Sequence, residues 1–360
     1  MNPILAQIDV LHDMGAAFAD IRVQQGRPMM VKGPKGWCDT DYVPTLIDIM
    51  DFLGQADKDW QKFLAAEKQI DRSLRVGDRH RLRINAYTQD GGEHYGMVIR
   101  RQSVEPIPLS NIGLPVHIEV MTRATSGLIL VNGPTGAGKT TTLAAIVDEI
   151  NSSRAAHIVT VEQPIEYEFQ EKQSVFTQRE VGMDTHSFSD GVKAAMRQAP
   201  DVIMIGEIRD RDTCEAALRG ALSGHLVLAS THGSRAVNAI QRMFSFFPEE
   251  PAFVSMALQN SLIGVIAQQL LPSTDGLSYV VAAEILNGRD KTVQDAIASP
   301  EKLGGLEESL RTGRISMSNH FNVHLRQLIQ GNKVEVARTL AASPAMKELK
   351  DALGTEAMPA

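Results

Sequence analysis

The sequence predicts an α/β protein: a mainly parallel sheet carrying a phosphate loop, with an α+β region before it and a helical region after it. Three observations lead there. Four apolar runs, at residues 127–131, 157–161, 202–205 and 225–229, are bounded by polar or glycine-rich segments. This is the pattern of strands buried on both faces of a parallel sheet. The first run leads directly into Gly133-Pro134-Thr135-Gly136-Ala137-Gly138-Lys139-Thr140, which fits G-x-x-x-x-G-K-[ST]. Residues 291–360 read as helical, with helices expected at 320–330, 333–342 and 344–353.

At 360 residues the chain predicts two or three domains of about 100–200 residues each. The expected boundaries are 1–105, a linker over 106–118 marked by Pro106, Pro108 and Pro115, a core over 119–290, and a helical region over 291–360 whose tail after Gly354 frays. Hydrophobic residues make up 43% but aromatics only 5%, so the core rests on Leu, Ile, Val, Ala and Met. A net charge of -7 argues against a protein that mainly coats nucleic acid. Cys38 and Cys214 lack metal-type spacing and read as reduced thiols. No signal peptide is evident at the start, and no apolar run approaches the ~20 residues a bilayer requires. The expected location is cytoplasmic, with any membrane contact made through partners or a surface helix.

In the N-terminal region a helix is expected over 42–53, with Asp39 and Asp41 near its start, Pro44 in its first turn and Gly54 as its stop. A second helix is expected over 56–68, with Trp60, Phe63 and Leu64 on one face. Residues 79–87 alternate like a strand, and Gly91-Gly92 turns the chain into another at 94–100.

The loop defines the chemistry. Its glycines let backbone N–H groups curl around phosphate oxygens, and the helix expected over 141–150 adds positive partial charge at its N-terminus. The cradle comprises Gly133, Pro134, Thr135, Gly136, Ala137, Gly138, Lys139, Thr140 and Thr141. Lys139 should reach the β- and γ-phosphates of ATP, and the Thr140 hydroxyl should ligate Mg²⁺. Glu207 follows the apolar strand 202–205, where a carboxylate can polarise the attacking water or hold a metal-bound water.

Glu162 and Glu166 flank a Gln163-Pro164 turn at the end of another apolar strand, the edge where open α/β sheets bind ligands. An ordinary acidic loop fits the same pattern. His225 and His232 lie seven apart around the strand at 226–229; they suit a γ-phosphate sensor or relay, or a structural role, but not a zinc site. Phosphoryl transfer needs positive charge on the equatorial oxygens, often an arginine supplied in trans. Arg81 and Arg83 share a strand face, Arg100 and Arg101 lie on the neighbouring strand, and Arg197 and Arg209 belong to the core. Each of these also fits a solvated or structural role.

Together these motifs resemble the type II/type IV secretion ATPase superfamily, especially its PilT-like branch. The resemblance covers most of the chain. It rests on the loop at 133–140, the acidic box at 160–166, and Gln178-Arg179-Glu180-Val181-Gly182 with Phe188. Further on it includes Gly206-Glu207-Ile208-Arg209-Asp210, the stretch from Gly224-His225 through His232, and Gln268-Gln269-Leu270-Leu271-Pro272. The segment Arg81-Leu82-Arg83-Ile84-Asn85 is similar to the family's N-terminal domain.

The resemblance implies a PAS-like N-terminal domain, a flexible linker and a RecA-like core, assembled as a homo-hexamer with nucleotide between the two domains. It implies Lys139 and Thr140 on phosphate and Mg²⁺, Glu207 as catalytic acid, Glu162 and Glu166 as acidic-box residues, and His225 and His232 as histidine-box residues. Gln163 stands where the branch usually carries Asp, and Gln269 where the family often has Arg. The lack of a four-cysteine zinc insertion favours the PilT-like branch, which serves pilus retraction, type IVB secretion and related conjugation systems.

The implied function is an ATP-hydrolysing motor working with inner-membrane platform or secretion-machine proteins, without direct nucleic acid. A nucleic-acid translocase with a RecA-like core is the alternative, and a ring that binds nucleotide without hydrolysis is a third reading.

Overall fold

The computed structural model describes residues 2–13, 20–33, 36–77, 80–102, 105–276, 278–343 and 346–353, with backbone alone at 73, 80, 81, 101, 102, 119, 120 and 352. Two compact units emerge: one holds residues 1–105 with 275–279, the other residues 106–274 with 280–360. The short C-terminal helices therefore fall in the same unit as the larger sheet.

The first unit begins with helix α1 (Pro3–Asp13). Its six strands are β1 (Asp20–Gln24), β2 (Met30–Gly33), β3 (Gly36–Asp39), β4 (Gln69–Val76), β5 (His80–Gln89) and β6 (His94–Gln102), in the order β3-β2-β1-β6-β5-β4. Every pairing is antiparallel. Alternation buries one face of this sheet: Ile21 and Val23, Leu82, Ile84 and Ala86, and Met97 and Ile99 all point into one core. Helices α2 (Leu46–Ala56) and α3 (Trp60–Glu67) cover it with Ile49, Phe52, Leu53, Trp60 and Leu64.

Both helices start later than the sequence suggests. Thr45 caps α2 in a capping box: its hydroxyl accepts from Asp48 N at 3.2 Å, while its own N–H donates to Asp48 Oδ2 at 2.8 Å. Pro44 therefore lies outside the helix, which continues past Gly54 to Ala56. The start of α3 waits for Trp60, because Asp57 turns away to accept from Asp59 N at 2.8 Å and to pair with Arg72.

The second unit opens with two short helices, α4 (Leu109–Ile112) and α5 (Ile118–Thr122), in and just after the proline-marked stretch. Its sheet has β7 (Gly127–Asn132), β8 (His157–Glu162), β9 (Val175–Glu180), β10 (Val202–Ile205), β11 (Leu226–Thr231), β12 (Leu262–Pro272) and β13 (Tyr279–Asn287). The order is β13-β12-β7-β11-β10-β8-β9, and the five pairings from β12 to β9 are parallel. Successive side chains of β7 divide between two cores: Leu128 and Leu130 enter one, Ile129 and Val131 the other. Helix α6 (Lys139–Ser153) packs on the second face; α7 (Phe188–Ala195), α8 (Arg211–Leu222), α9 (Ala236–Ser245) and α10 (Pro251–Ser261) pack on the first.

After the sheet come α11 (Lys291–Ala298), α12 (Leu306–Arg311), α13 (Phe321–Gln330), α14 (Val336–Ala342) and α15 (Met346–Leu353). Val293, Ile297, Leu306 and Leu310 join the first-face core, whereas α13 to α15 gather around Leu271 and Ala282 of β12 and β13. His320 stands before α13 as its cap, its Nδ1 accepting from Asn322 N at 3.2 Å, so the helix starts one residue later than expected. Pro344 and the tail after Leu353 lie outside the described residues. Among the described residues no helix is long and apolar enough to cross a membrane.

Candidate active site

Sheet register assembles the site. Asn132 of β7 pairs with Thr231 of β11, Ala229 of β11 with Ile205 of β10, and Ile205 with Val161 of β8. The carboxyl ends of four neighbouring strands are thus aligned, and the segment leaving each strand starts at one shared edge. After β7 comes the loop at 133–138; after β10, Gly206-Glu207; after β11, His232; at the end of β8, Glu162.

The loop is held from below. Gly136 and Gly138 adopt left-handed backbone, with φ of 78° and 82°. Gly133 is required for a different reason: a Cβ there would lie 2.5 Å from Gln268 O and 2.8 Å from Ala137 Cβ. Buried Gln268 of β12 is the clamp, its Nε2 donating to Ala137 O at 2.7 Å and its Oε1 accepting from Thr142 Oγ1 at 2.8 Å. Thr141 Oγ1 sits 2.9 Å from the hydroxyl of Tyr167. Lys139 folds over the loop and donates from Nζ to Gly133 O at 2.9 Å and Pro134 O at 3.2 Å. Burial pulls its pKa below the ordinary lysine value, and the carboxylates of Glu207 and Glu166 oppose that. Thr140 is half-buried in the first turn of α6.

Glu207 is held on both of its oxygens. His232 Nε2 lies 2.5 Å from its Oε1, and Arg209 Nε donates to its Oε2 at 2.7 Å. The strand-to-loop turn that presents it is fixed by main-chain bonds: Gly206 N donates to Val161 O at 2.8 Å and Ile208 N to Ser230 O at 2.9 Å.

Glu162 is only 2% exposed. Burial drives its carboxyl up to about 7, against hydrogen bonds from Thr160, Gln178 and the backbone of Glu166. The Thr160 hydroxyl donates to its Oε1 at 2.7 Å and Gln178 Nε2 at 3.4 Å. The Gln163-Pro164 peptide that comes next is cis, and Gln163 is exposed. Gln269 donates toward Ala342 O at 3.4 Å.

Two candidates of the second unit lie at the far edge of its sheet. His225 precedes β11, so it stands at the opposite sheet edge from His232, roughly 20 Å away at about 3.3 Å per strand residue. There its Nδ1 lies 2.9 Å from Ser223 Oγ and 3.0 Å from Gly220 O, a helix-end contact. Arg197 is exposed between α7 and β10, on that same far edge. In the first unit, Arg83 lies 3.5 Å from Asp71, and Arg100 holds Asp20 through two nitrogens at 2.8 and 3.4 Å. The side chains of Arg81 and Arg101 lie outside the described residues.

Sequence reasoning gave no role to Gln268, Asn132, Tyr167 or Arg235. For Gln268 a signal existed, since an amide in the apolar run of β12 must find buried partners.

A glycine loop joining a buried parallel strand to a helix, with a paired glutamate at the same edge, defines a P-loop nucleotide-binding α/β core. Residues 66–357 match the family described as type II/IV secretion system protein, and the chain belongs to that family. The Type IV pilus retractation ATPase PilT of Pseudomonas aeruginosa is 37% identical over 257 residues, covering 71% of this chain and 72% of that protein. A crystal structure of the pilus retraction motor PilT with bound ADP superposes with a TM-score of 0.82 at 34% identity, over 96% of this chain and 98% of that one. The Legionella pneumophila ATPase DotB is similar at a TM-score of 0.80 and 25% identity, over 94% and 95% of the two chains.

Proposed function

We propose that this protein hydrolyses ATP as a ring-forming motor, assembled as six copies, that drives a type IV pilus or a related secretion or conjugation machine. The observation that carries the reading is the Glu207 carboxylate, held by His232 and Arg209 at the sheet edge that also presents Lys139.

The loop suits a polyphosphate. The Gly136 φ of 78° opens onto free space, with no atom within 4 Å of where a Cβ would stand, so a phosphate can approach the backbone closely. The N-terminus of α6 supplies partial positive charge. Lys139 exchanges the carbonyls of Gly133 and Pro134 for β- and γ-phosphate oxygens, regaining partners for a half-buried ammonium. Glu207 accepts the hydrogen bond of the attacking water, while His232 and Arg209 fix the orientation of its two oxygens. Thr140 and, through water, Glu207 are the groups suited to hold Mg²⁺, which would neutralise charge on the transferring phosphoryl group. The Thr140 hydroxyl in the first turn of α6 and the Glu207 carboxylate after β10 are oxygen donors, the ligand type Mg²⁺ takes.

Pilin-handling or secretion-machine proteins at the inner membrane are the proposed partners, reached from the cytoplasm. An arginine supplied in trans by a neighbouring copy is the proposed source of charge for the γ-phosphate, with Arg81 and Arg83 as candidates. Phosphate release with Mg²⁺ and ATP, read beside solution mass with and without nucleotide, tests the reading. A sixfold mass with turnover supports it; a monomer that consumes no ATP at any concentration refutes it. Strong, salt-sensitive stimulation by DNA would instead favour a nucleic-acid translocase.

A further inference from the structure

Arg235 joins four elements that are far apart in sequence. It caps α9, and its main-chain oxygen accepts from Asn132 Nδ2 at 2.8 Å, at the last residue of β7 before the phosphate loop. Its guanidinium grips Glu284 of β13, with Nε 3.1 Å from Oε2, and reaches Glu307 of α12 with Nη1 2.6 Å from Oε1. Glu284 is 0% exposed, and it also accepts from Ala236 N at 2.9 Å and Phe321 N at 3.3 Å, which ties in the start of α13.

His232 lies on the short loop between β11 and Arg235. Both ends of that loop are tied to Asn132: Thr231 Oγ1 donates to Asn132 Oδ1 at 2.9 Å, and Asn132 Nδ2 holds the Arg235 carbonyl. Between them Gly233 passes so close that a Cβ would lie 2.8 Å from Asn132 Nδ2. The imidazole that meets Glu207 is therefore suspended between a β7 amide and an arginine anchored on the C-terminal helices.

We propose that Arg235 is a positioning residue for hydrolysis: through Glu284 and Glu307 it sets the register of His232 against Glu207 and couples that pair to α12 and α13. The inference rests on the reading of Glu207 as the hydrolytic acid. A buried ion pair by itself says little about stability, because desolvation offsets much of the attraction. Its multiple hydrogen bonds do fix direction, and that is what a reacting group needs from the residues behind it.

The test is Arg235→Met combined with Glu284→Gln, which removes both charges and keeps one amide oxygen as acceptor, enough for Ala236 N or Phe321 N. The expected result is a protein that folds, binds a fluorescent ATP analogue within twofold of wild type, keeps KM and loses at least tenfold in kcat. Arg235→Lys, which retains the charge without the planar fork, should fall between the two. Unchanged kcat in the folded double variant overturns the proposal, as does a loss of nucleotide binding as large as the loss of kcat. If the double variant does not fold, Glu307→Ala decides, because it removes only the solvent-side arm. A drop in kcat of about threefold at constant KM supports the coupling, and wild-type kcat overturns it. A wild-type protein that never hydrolyses ATP refutes the functional reading itself, and this inference with it.

Discussion

His232 and Glu207 leave neighbouring strands of one parallel sheet, and their side chains meet at 2.5 Å between Nε2 and Oε1. The carboxylate's other oxygen is taken by Arg209 at 2.7 Å. A glutamate held on both oxygens has its plane fixed, so a water beside it meets an acceptor that needs no reorganisation. Removing His232 frees one oxygen without removing the acid. His232→Ala should therefore lower kcat by about 10–100-fold and leave nucleotide binding intact, a smaller loss than removal of the carboxylate itself, which general-base catalysis places at about 10²–10⁴-fold. Steady-state phosphate release beside equilibrium binding of an ATP analogue measures both.

Gln268 bridges the inside of the phosphate loop to β12. Gln268→Ala leaves Ala137 O and the Thr142 hydroxyl buried without partners, at a cost of roughly 2–4 kcal/mol. Thermal unfolding should shift down by several degrees, and ATP affinity should fall with it because the loop loses its support. An unchanged melting temperature would show that the clamp contributes nothing.

Gly133 has no room for a side chain: the nearest obstacle to a Cβ is the Gln268 carbonyl oxygen at 2.5 Å, a backbone atom that cannot swing aside. Gly133→Ala must displace the loop from β12. The expected outcome is loss of nucleotide binding by titration calorimetry, with secondary structure retained by circular dichroism.

Glu162 gives a pH dependence with a definite sign. Burial raises its carboxyl from an ordinary 4.5 to about 7 in the folded protein. The folded state thus binds a proton that the unfolded state has released, and stability falls as pH rises from about 4.5 to about 7, by roughly 3 kcal/mol at most. Above that window the penalty is constant. Glu162→Gln cannot ionise and escapes the penalty. Without nucleotide, the variant should gain melting temperature over wild type at pH 8 and gain little at pH 5. An equal difference at both values would contradict the raised carboxyl.

Much of this site is legible in sequence because its parts are local. The strand, glycine loop and helix from 127 to 153 form one continuous signal, and Glu207 is separated from an apolar strand by Gly206 alone. The features that escape are those that depend on distant pairing. Strand β12 continues from α10 without a break, so its apolar run reads as readily as helix. Polar β9 carries no buried pattern to betray it. His225 and His232 look equivalent in sequence, yet one lies at each end of β11, and only the paired strands reveal which edge holds the loop. Arg235 and Glu284 are 49 residues apart, and nothing local joins them. In the first unit, Thr45 rather than Pro44 sets the start of α2, because reciprocal bonds with Asp48 satisfy its first turn.

Hydrolysis turns on Glu207 activating water against a phosphate held by Lys139. Its most direct measurement is single-turnover ATP hydrolysis by wild type, Glu207→Gln and Lys139→Ala, with binding measured in parallel. Wild type should bind and cleave, Glu207→Gln should bind without cleaving, and Lys139→Ala should do neither well. Cleavage by Glu207→Gln at the wild-type rate would contradict the claim.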